Sequence, residues 1–228
     1  MKIRTSIFCF LLIFACAGIL LSRLDSQAVS DTVHSWTVVV DAGHGGNDPG
    51  KVGVNDALEK DINLKIALYL REYLTQEGIR VVMTRTTDTG LYSEDSTNKK
   101  SEDMKNRIEM IEENNGDLLV SIHQNSYTQE KYCGAQVFYY TGSQEGGRLA
   151  ALVQESLISG ADPENHRQAK ENSDYYLLKK SSVPAIICEC GFLSNYEECE
   201  KLTTDDYQKI IARCIADGIL TYCAQTSR

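Results

Sequence analysis

Residues 37–53 read TVVVDAGHGGNDPGKVG, an apolar run closed by an acid and followed by a glycine-rich turn. A run such as TVVVD, apolar at consecutive positions, is what burial on both faces of a parallel sheet demands. Two later runs share the pattern, DLLVSI at 117–122 and AIICE at 185–189. Strands are expected at 36–41, 79–84, 117–123, 136–140 and 185–189, where β-branched residues concentrate. Helical spacing separates them. Ile62, Ile66, Leu70, Tyr73 and Leu74 recur at the helical period, with Gly78 where a C-cap belongs. Leu149, Leu152, Val153 and Leu157 repeat it before Gly160, and Tyr207, Ile210, Ile211, Cys214, Ile215 and Ile219 form a last stripe. Asn195 followed by Glu198 is a capping-box-like start for a short helix. The fold class that follows is α/β, a three-layer sandwich with a mostly parallel twisted sheet flanked by helices.

The turn after TVVVD admits two chemistries. Gly45 to Lys51 spell G-x-x-x-x-G-K, most of a phosphate-cradling loop. Position 52, however, is Val where a magnesium-binding hydroxyl belongs, and Asp48 and Pro49 set a negative charge and a missing N–H where a phosphate wants donors. The phosphate reading fails. Instead the glycines let the backbone turn sharply so that His44 stands over the sheet edge.

Ligands of open α/β sheets bind at the carboxyl ends of strands. His44 lies just past TVVVD, His123 follows DLLVSI, Glu189 ends AIICE, and Glu59 opens the helix after the glycine-rich loop. Two imidazoles and two carboxylates therefore meet at one edge. Two His and one Glu with an open fourth position is a hydrolytic zinc ligand set, and the sequence leaves open which carboxylate ligates. A lone strand-end His is more often a hydrogen-bonded structural group, and Glu59 could simply be a first-turn glutamate favoured by the helix dipole. Glu189 is harder to dismiss, because an acid ending so apolar a run is costly to bury. Cys188 and Cys190 flank it but alternate to the opposite face, into the packing. His34 and His166 sit in polar stretches and read as surface groups.

The segments VVVDAGHGG, EKDINL, VVMTR, SIHQNS and ECGFLSN, in that order, resemble the signature segments of the zinc-dependent N-acetylmuramoyl-L-alanine amidases of bacterial cell walls. The resemblance runs from residue 36 to about residue 222. It implies zinc ligands at His44, Glu59 and His123, one zinc ion per chain, a catalytic glutamate at Glu189, and peptidoglycan as substrate. The stretches 88–107 and 175–195 are similar to the sporulation and germination members that trim spore-cortex peptidoglycan, which implies that role and an activating protein partner. Asn125, Ser126, Phe192 and Leu193 flank the site as substrate contacts or as packing. A zinc deacetylase of wall sugars and a non-catalytic wall-binding protein are the competing functions; product analysis separates the first, and the quartet itself argues against the second.

Composition bounds the rest. The chain has 228 residues, 42% of them hydrophobic, enough for a real core. Lys2 and Arg4 precede an uncharged apolar run at 7–21, and Ser26-Gln27-Ala28 is a small-x-small cleavage site. Residues 1–28 are thus expected to be a signal peptide or an N-terminal membrane anchor, and 29–228 the exported catalytic domain. That places the domain at the extracytoplasmic face of the membrane, in the cell wall or in the forespore intermembrane space. Loss of Lys2, Arg4, Arg23 and Asp25 with residues 1–28 takes the formal charge from −9 to −11. Such an acidic surface repels phosphates and argues against a nucleic-acid partner. Six cysteines follow residue 28; most read as small buried hydrophobes, and a Cys214–Cys223 disulfide is excluded if one helix carries both. Residues 86–103, polar but for Leu91 and Tyr92, form a long loop expected to wall the substrate groove, to dock a partner or to remain solvated chain.

Overall fold

The computed structural model describes residues 36–226. The expected signal or anchor at 1–28 lies outside the described residues, within which no helix is long and apolar enough to cross a membrane. Six strands, β1 (Thr37–Ala42), β2 (Arg80–Met83), β3 (Leu118–Asn125), β4 (Gln136–Tyr140), β5 (Lys170–Asn172) and β6 (Ala185–Phe192), form one sheet in the order β2-β1-β3-β6-β4-β5. Pairing is parallel from β2 to β6; β4 runs antiparallel to β6 and parallel to β5. The sheet is mixed, as an edge reversal on a parallel centre often is.

The five expected strands are present. β5, of sequence KEN, adds an edge strand that has no apolar signal to announce it. Helices α1 (Glu59–Gln76), α3 (Gln144–Gly160), α5 (Tyr196–Leu202) and α6 (Asp205–Gln225) occupy the expected helical stretches. Asn195 caps α5 as its spacing predicts, accepting from the Glu198 amide at 3.0 Å. Helix α2 (Lys99–Glu113) begins earlier than a loop at 86–103 allows, because Asn98 caps it by accepting from the Ser101 amide. The loop is therefore shorter than expected, ending at Asn98. Helix α4 (Tyr176–Lys180) is a single short turn docked through Leu177 and Leu178.

Two cores sandwich the sheet. Val38, Val40, Leu118, Val120, Ile122, Ile186, Cys188 and Cys190 point to one side, against α1, α3 and α6. Val39, Leu119, Ala185 and Ile187 point to the other, against α2 and α4. Alternation along the strands then assigns Asp41, Ser121, His123 and Glu189 to the α2/α4 side. All six described cysteines are free, and only Cys133 is exposed. Cys214 and Cys223 share α6, so the excluded disulfide is absent.

Candidate metal centre and active site

The turn after β1 delivers His44 in a strained conformation. Its φ is 61°, left-handed backbone that a bulky residue seldom adopts, and Gly45 and Gly46 follow at 130° and 58°. Something must hold that shape. Arg107 of α2 and Arg85 after β2 both reach it. Arg107 donates to the oxygens of Ala42 (3.0 Å) and His44 (2.8 Å), and Arg85 to those of Ala42 (2.9 Å) and Gly43 (3.0 Å). Arg107 is itself fixed by Asp103 at 2.7 Å and by Asp41, whose carboxylate also accepts from Thr84 and Ser121. Burial would push the Asp41 carboxyl up, but Arg107 and the two hydroxyls hold it down at about 2.

Helix α1 starts with Glu59, which is buried and points back to the same place. Its Oε1 lies 3.2 Å from His44 Nε2 and 3.0 Å from His123 Nδ1. The same oxygen accepts from the Gln124 amide at 3.1 Å, where a register shift between β3 and β6 interrupts the ladder. The other carboxylate oxygen accepts from the Lys51 amide at 2.8 Å. Burial opposes ionisation of Glu59, yet hydrogen bonds and charge from His123 and His44 hold its carboxyl far below the usual range. His44 is shifted the other way: burial lowers its pKa, and Glu59 together with Asp48, 2.9 Å from His44 Nδ1, raises it above the ordinary value.

One ligand atom from each of His44, Glu59 and His123 lies within 4.8 Å of the others, so the three residues singled out by sequence converge. Two imidazole nitrogens and an ionised carboxylate oxygen form a borderline donor set of the kind that fits zinc. Gly43 keeps the site open, since a Cβ at that position would overlap the ring of His123.

Glu189 is the direct register partner of His123 on the neighbouring strand. Its carboxylate is buried, and its Oε2 has no hydrogen-bond partner. Burial dominates its environment and raises its pKa, with His123 pulling the other way. His123, Glu189 and Arg107 line a cavity of about 270 Å³ walled by Met104, Tyr175, Leu177 and Ile187. A larger cleft, about 570 Å³ between residues 161–167 and 195–201, contains none of the four site residues. His166 lines that cleft, away from the centre.

Sequence reading missed the scaffold behind the ligands. Arg85 and Asp41 carried a faint signal, each being a charge at the end of an apolar strand, whereas Arg107 sits in a charge-rich helix and carried none. The polar loop before α2 proves to be tied to the His44 turn: the Gly46 amide donates to Asp88 (2.8 Å) and the Asn47 amide to the Tyr92 hydroxyl (3.1 Å).

An α/β sandwich presenting a His/Glu/His cluster beside a buried glutamate with one unpartnered oxygen has the make-up of a hydrolase centre of the metal-assisted kind. Residues 38–221 match the family described as N-acetylmuramoyl-L-alanine amidase, Amidase_3, and the chain belongs to that family: it is an amidase of the bacterial cell wall. It is 37% identical over 188 residues to the germination-specific N-acetylmuramoyl-L-alanine amidase of Bacillus subtilis (strain 168), covering 81% of this chain and 78% of that protein. Among solved structures it is similar to the CwlD amidase from Clostridioides difficile in complex with the GerS lipoprotein, at a TM-score of 0.82 and 43% identity over 84% of this chain and 100% of that one. It is also similar to the amidase AmiC2 of Nostoc punctiforme, at a TM-score of 0.73 and 33% identity over 84% of this chain and 98% of that one.

Proposed function

We propose that residues 29–228 form an exported catalytic domain. It hydrolyses the amide between the lactyl group of N-acetylmuramic acid and L-alanine, using one zinc ion held by His44, Glu59 and His123. The observation that carries the reading is the pairing of His123 with Glu189 in register on β3 and β6, beside the three-residue cluster. A zinc ion bound there supplies Lewis-acid polarisation of the lactyl carbonyl and acidifies a water at neutral pH.

The chain's own residues do the rest. Glu189, with a buried oxygen that no protein group occupies, takes the proton of the attacking water and passes it to the departing alanine nitrogen. Water thus adds across the C–N bond, leaving a lactyl carboxylate and a free amine. Burial, which raises the Glu189 pKa, brings that group nearer to working pH and suits it to both transfers. Arg107 and Arg85 hold the carbonyls of the metal turn, so His44 and His123 need little reorganisation.

Likeness to a germination-specific amidase and to CwlD supports spore-cortex peptidoglycan as the substrate. The complex of CwlD with a lipoprotein supports an activating protein partner for this chain as well, at the extracytoplasmic face where residues 1–28 direct or anchor it. Digestion of purified peptidoglycan followed by mass spectrometry tests the reaction. New muramic-acid carboxylates with free alanine amines are expected; released acetate with intact stem peptides would overturn it.

A further inference from the structure

The peptide half of the substrate must leave on the side of Glu189, because that carboxylate delivers the proton to the alanine nitrogen. The space there is the cavity of about 270 Å³ between α2 and α4. Its walls are mostly apolar, and carboxylates crowd its inner end, since Asp41 and Glu189 both line it. A stem peptide brings at least one further carboxylate, that of its C-terminal residue. An acidic peptide entering an acidic site needs a cation, and two reach this cavity among the described residues.

Arg107 is one of them, but it is spent. It is almost fully buried, and its guanidinium donates to Asp41, Asp103 and the oxygens of Ala42 and His44. Lys100 is the other. It stands in the first turn of α2, its side chain 62% exposed, with the Asp48 carboxylate at 2.6 Å as its ion-pair partner. An ammonium has three donors, so this contact leaves two for a ligand. Lys100 also borders a second cavity, beside Pro49, Tyr92 and Lys99, and therefore stands between the two openings next to the metal turn.

We infer that the cavity between α2 and α4 seats the stem peptide, and that Lys100 is a specificity-determining residue that binds a carboxylate of that peptide. The inference rests on the amidase reading and adds to it a preference for anionic over amidated stems. Screening confines the effect to a carboxylate close to Lys100, since charges beyond about 8 Å are largely masked at physiological salt.

The test uses the full chain loaded with zinc and a soluble N-acetylmuramoyl-L-alanyl peptide in two forms, one with free carboxylates and one with all of them converted to carboxamides. KM is compared between forms, and calorimetry gives the Kd of the released peptides. The wild type is expected to favour the acid form by about tenfold, the size of one hydrogen bond to a charged group. Lys100→Gln should bring the acid-to-amide ratio to about one, Lys100→Glu should invert it, and Lys100→Arg should keep it. Loss of the Lys100 contact to Asp48 acts on both forms and divides out of the ratio. A wild-type ratio of one, or a ratio that Lys100→Gln leaves unchanged, overturns the inference while leaving the amidase reading intact. Failure of the wild type to cleave either form, both alone and with its activating partner added, overturns the amidase reading and the inference with it.

Discussion

The guanidinium of Arg107 donates to the main-chain oxygen of His44 at 2.8 Å, so a helix more than sixty residues away in sequence holds the backbone of a proposed metal ligand. The same side chain is clamped by Asp41 and Asp103, which makes it a bridge between β1, α2 and the turn. Replacement by lysine keeps a positive charge near Asp41 but cannot reproduce the fork of donors. Arg107→Lys should therefore fold, lose about 1–3 kcal/mol of stability, and bind zinc roughly 10–100-fold more weakly, as loss of groups behind metal ligands typically does. Chelator competition and denaturant unfolding measure the two effects. Unchanged zinc affinity in a folded variant would refute the bridge.

Asp41 gives the bridge a pH signature. Its carboxyl is held at about 2 in the folded chain against an ordinary value of 3.8. Because the folded value is the lower one, the ionised pair stabilises the fold fully above about pH 4, and that contribution is lost as the pH falls towards 2. The difference corresponds to about 2 kcal/mol. Denaturant unfolding of the wild type and of Asp41→Asn at a series of pH values is the check. Asn is expected to be less stable at neutral pH, with the gap narrowing by about that amount between pH 4 and 2. Parallel stability curves would rule the pairing out as the source.

The ligand and proton-carrier roles separate by metal content. His44→Ala or His123→Ala removes one of the three converging donors and should strip zinc while the α/β fold survives, because both side chains lie at strand ends and outside the two cores. Glu189→Gln keeps shape and removes basicity, so zinc should stay and turnover should fall by roughly 10²-fold or more. Elemental analysis beside single-turnover assays distinguishes them. Full zinc in either His variant, or zinc lost from Glu189→Gln, would reverse the assignments.

The legible parts of the molecule were those written as local pattern. TVVVD, DLLVSI and AIICE announce buried strands because their apolar runs need both faces covered, and the strand ends then point to His44, His123 and Glu189. The β5 strand was silent, since three polar residues at a sheet edge bury nothing that a pattern could record. Likewise the His123–Glu189 register depends on β3 and β6 being neighbours, a consequence of strand order and not of either segment. Arg107 was invisible for a related reason: on a helix of mean polar character one buried arginine looks like any exposed one until its partners on β1 are known.

The loop before α2 was expected to wall a groove, dock a partner or hang in solvent, and its contacts give it a further task. The Asp88 carboxylate accepts from the Gly46 amide and from Lys60 Nζ, and the Tyr92 hydroxyl accepts from the Asn47 amide. The Leu91 amide donates to Asp103 at 2.7 Å, the carboxylate that also holds Arg107. Loop, arginine bridge and metal turn are thus one hydrogen-bonded unit. Little core is involved, because Leu91 and Tyr92 are only partly buried. Replacing residues 88–97 by a short Gly/Ser turn should then lower thermal stability modestly and zinc affinity by about tenfold or more, the range expected when groups behind metal ligands are lost. Tyr92→Phe, which removes only the acceptor for the Asn47 amide, should give a smaller loss in the same direction, near the 0.5–1.5 kcal/mol (about two- to tenfold) of one hydrogen bond. Chelator competition ranks the wild type, Tyr92→Phe and the shortened loop. Equal zinc affinity in all three would show that the metal turn holds its shape through the two arginines alone.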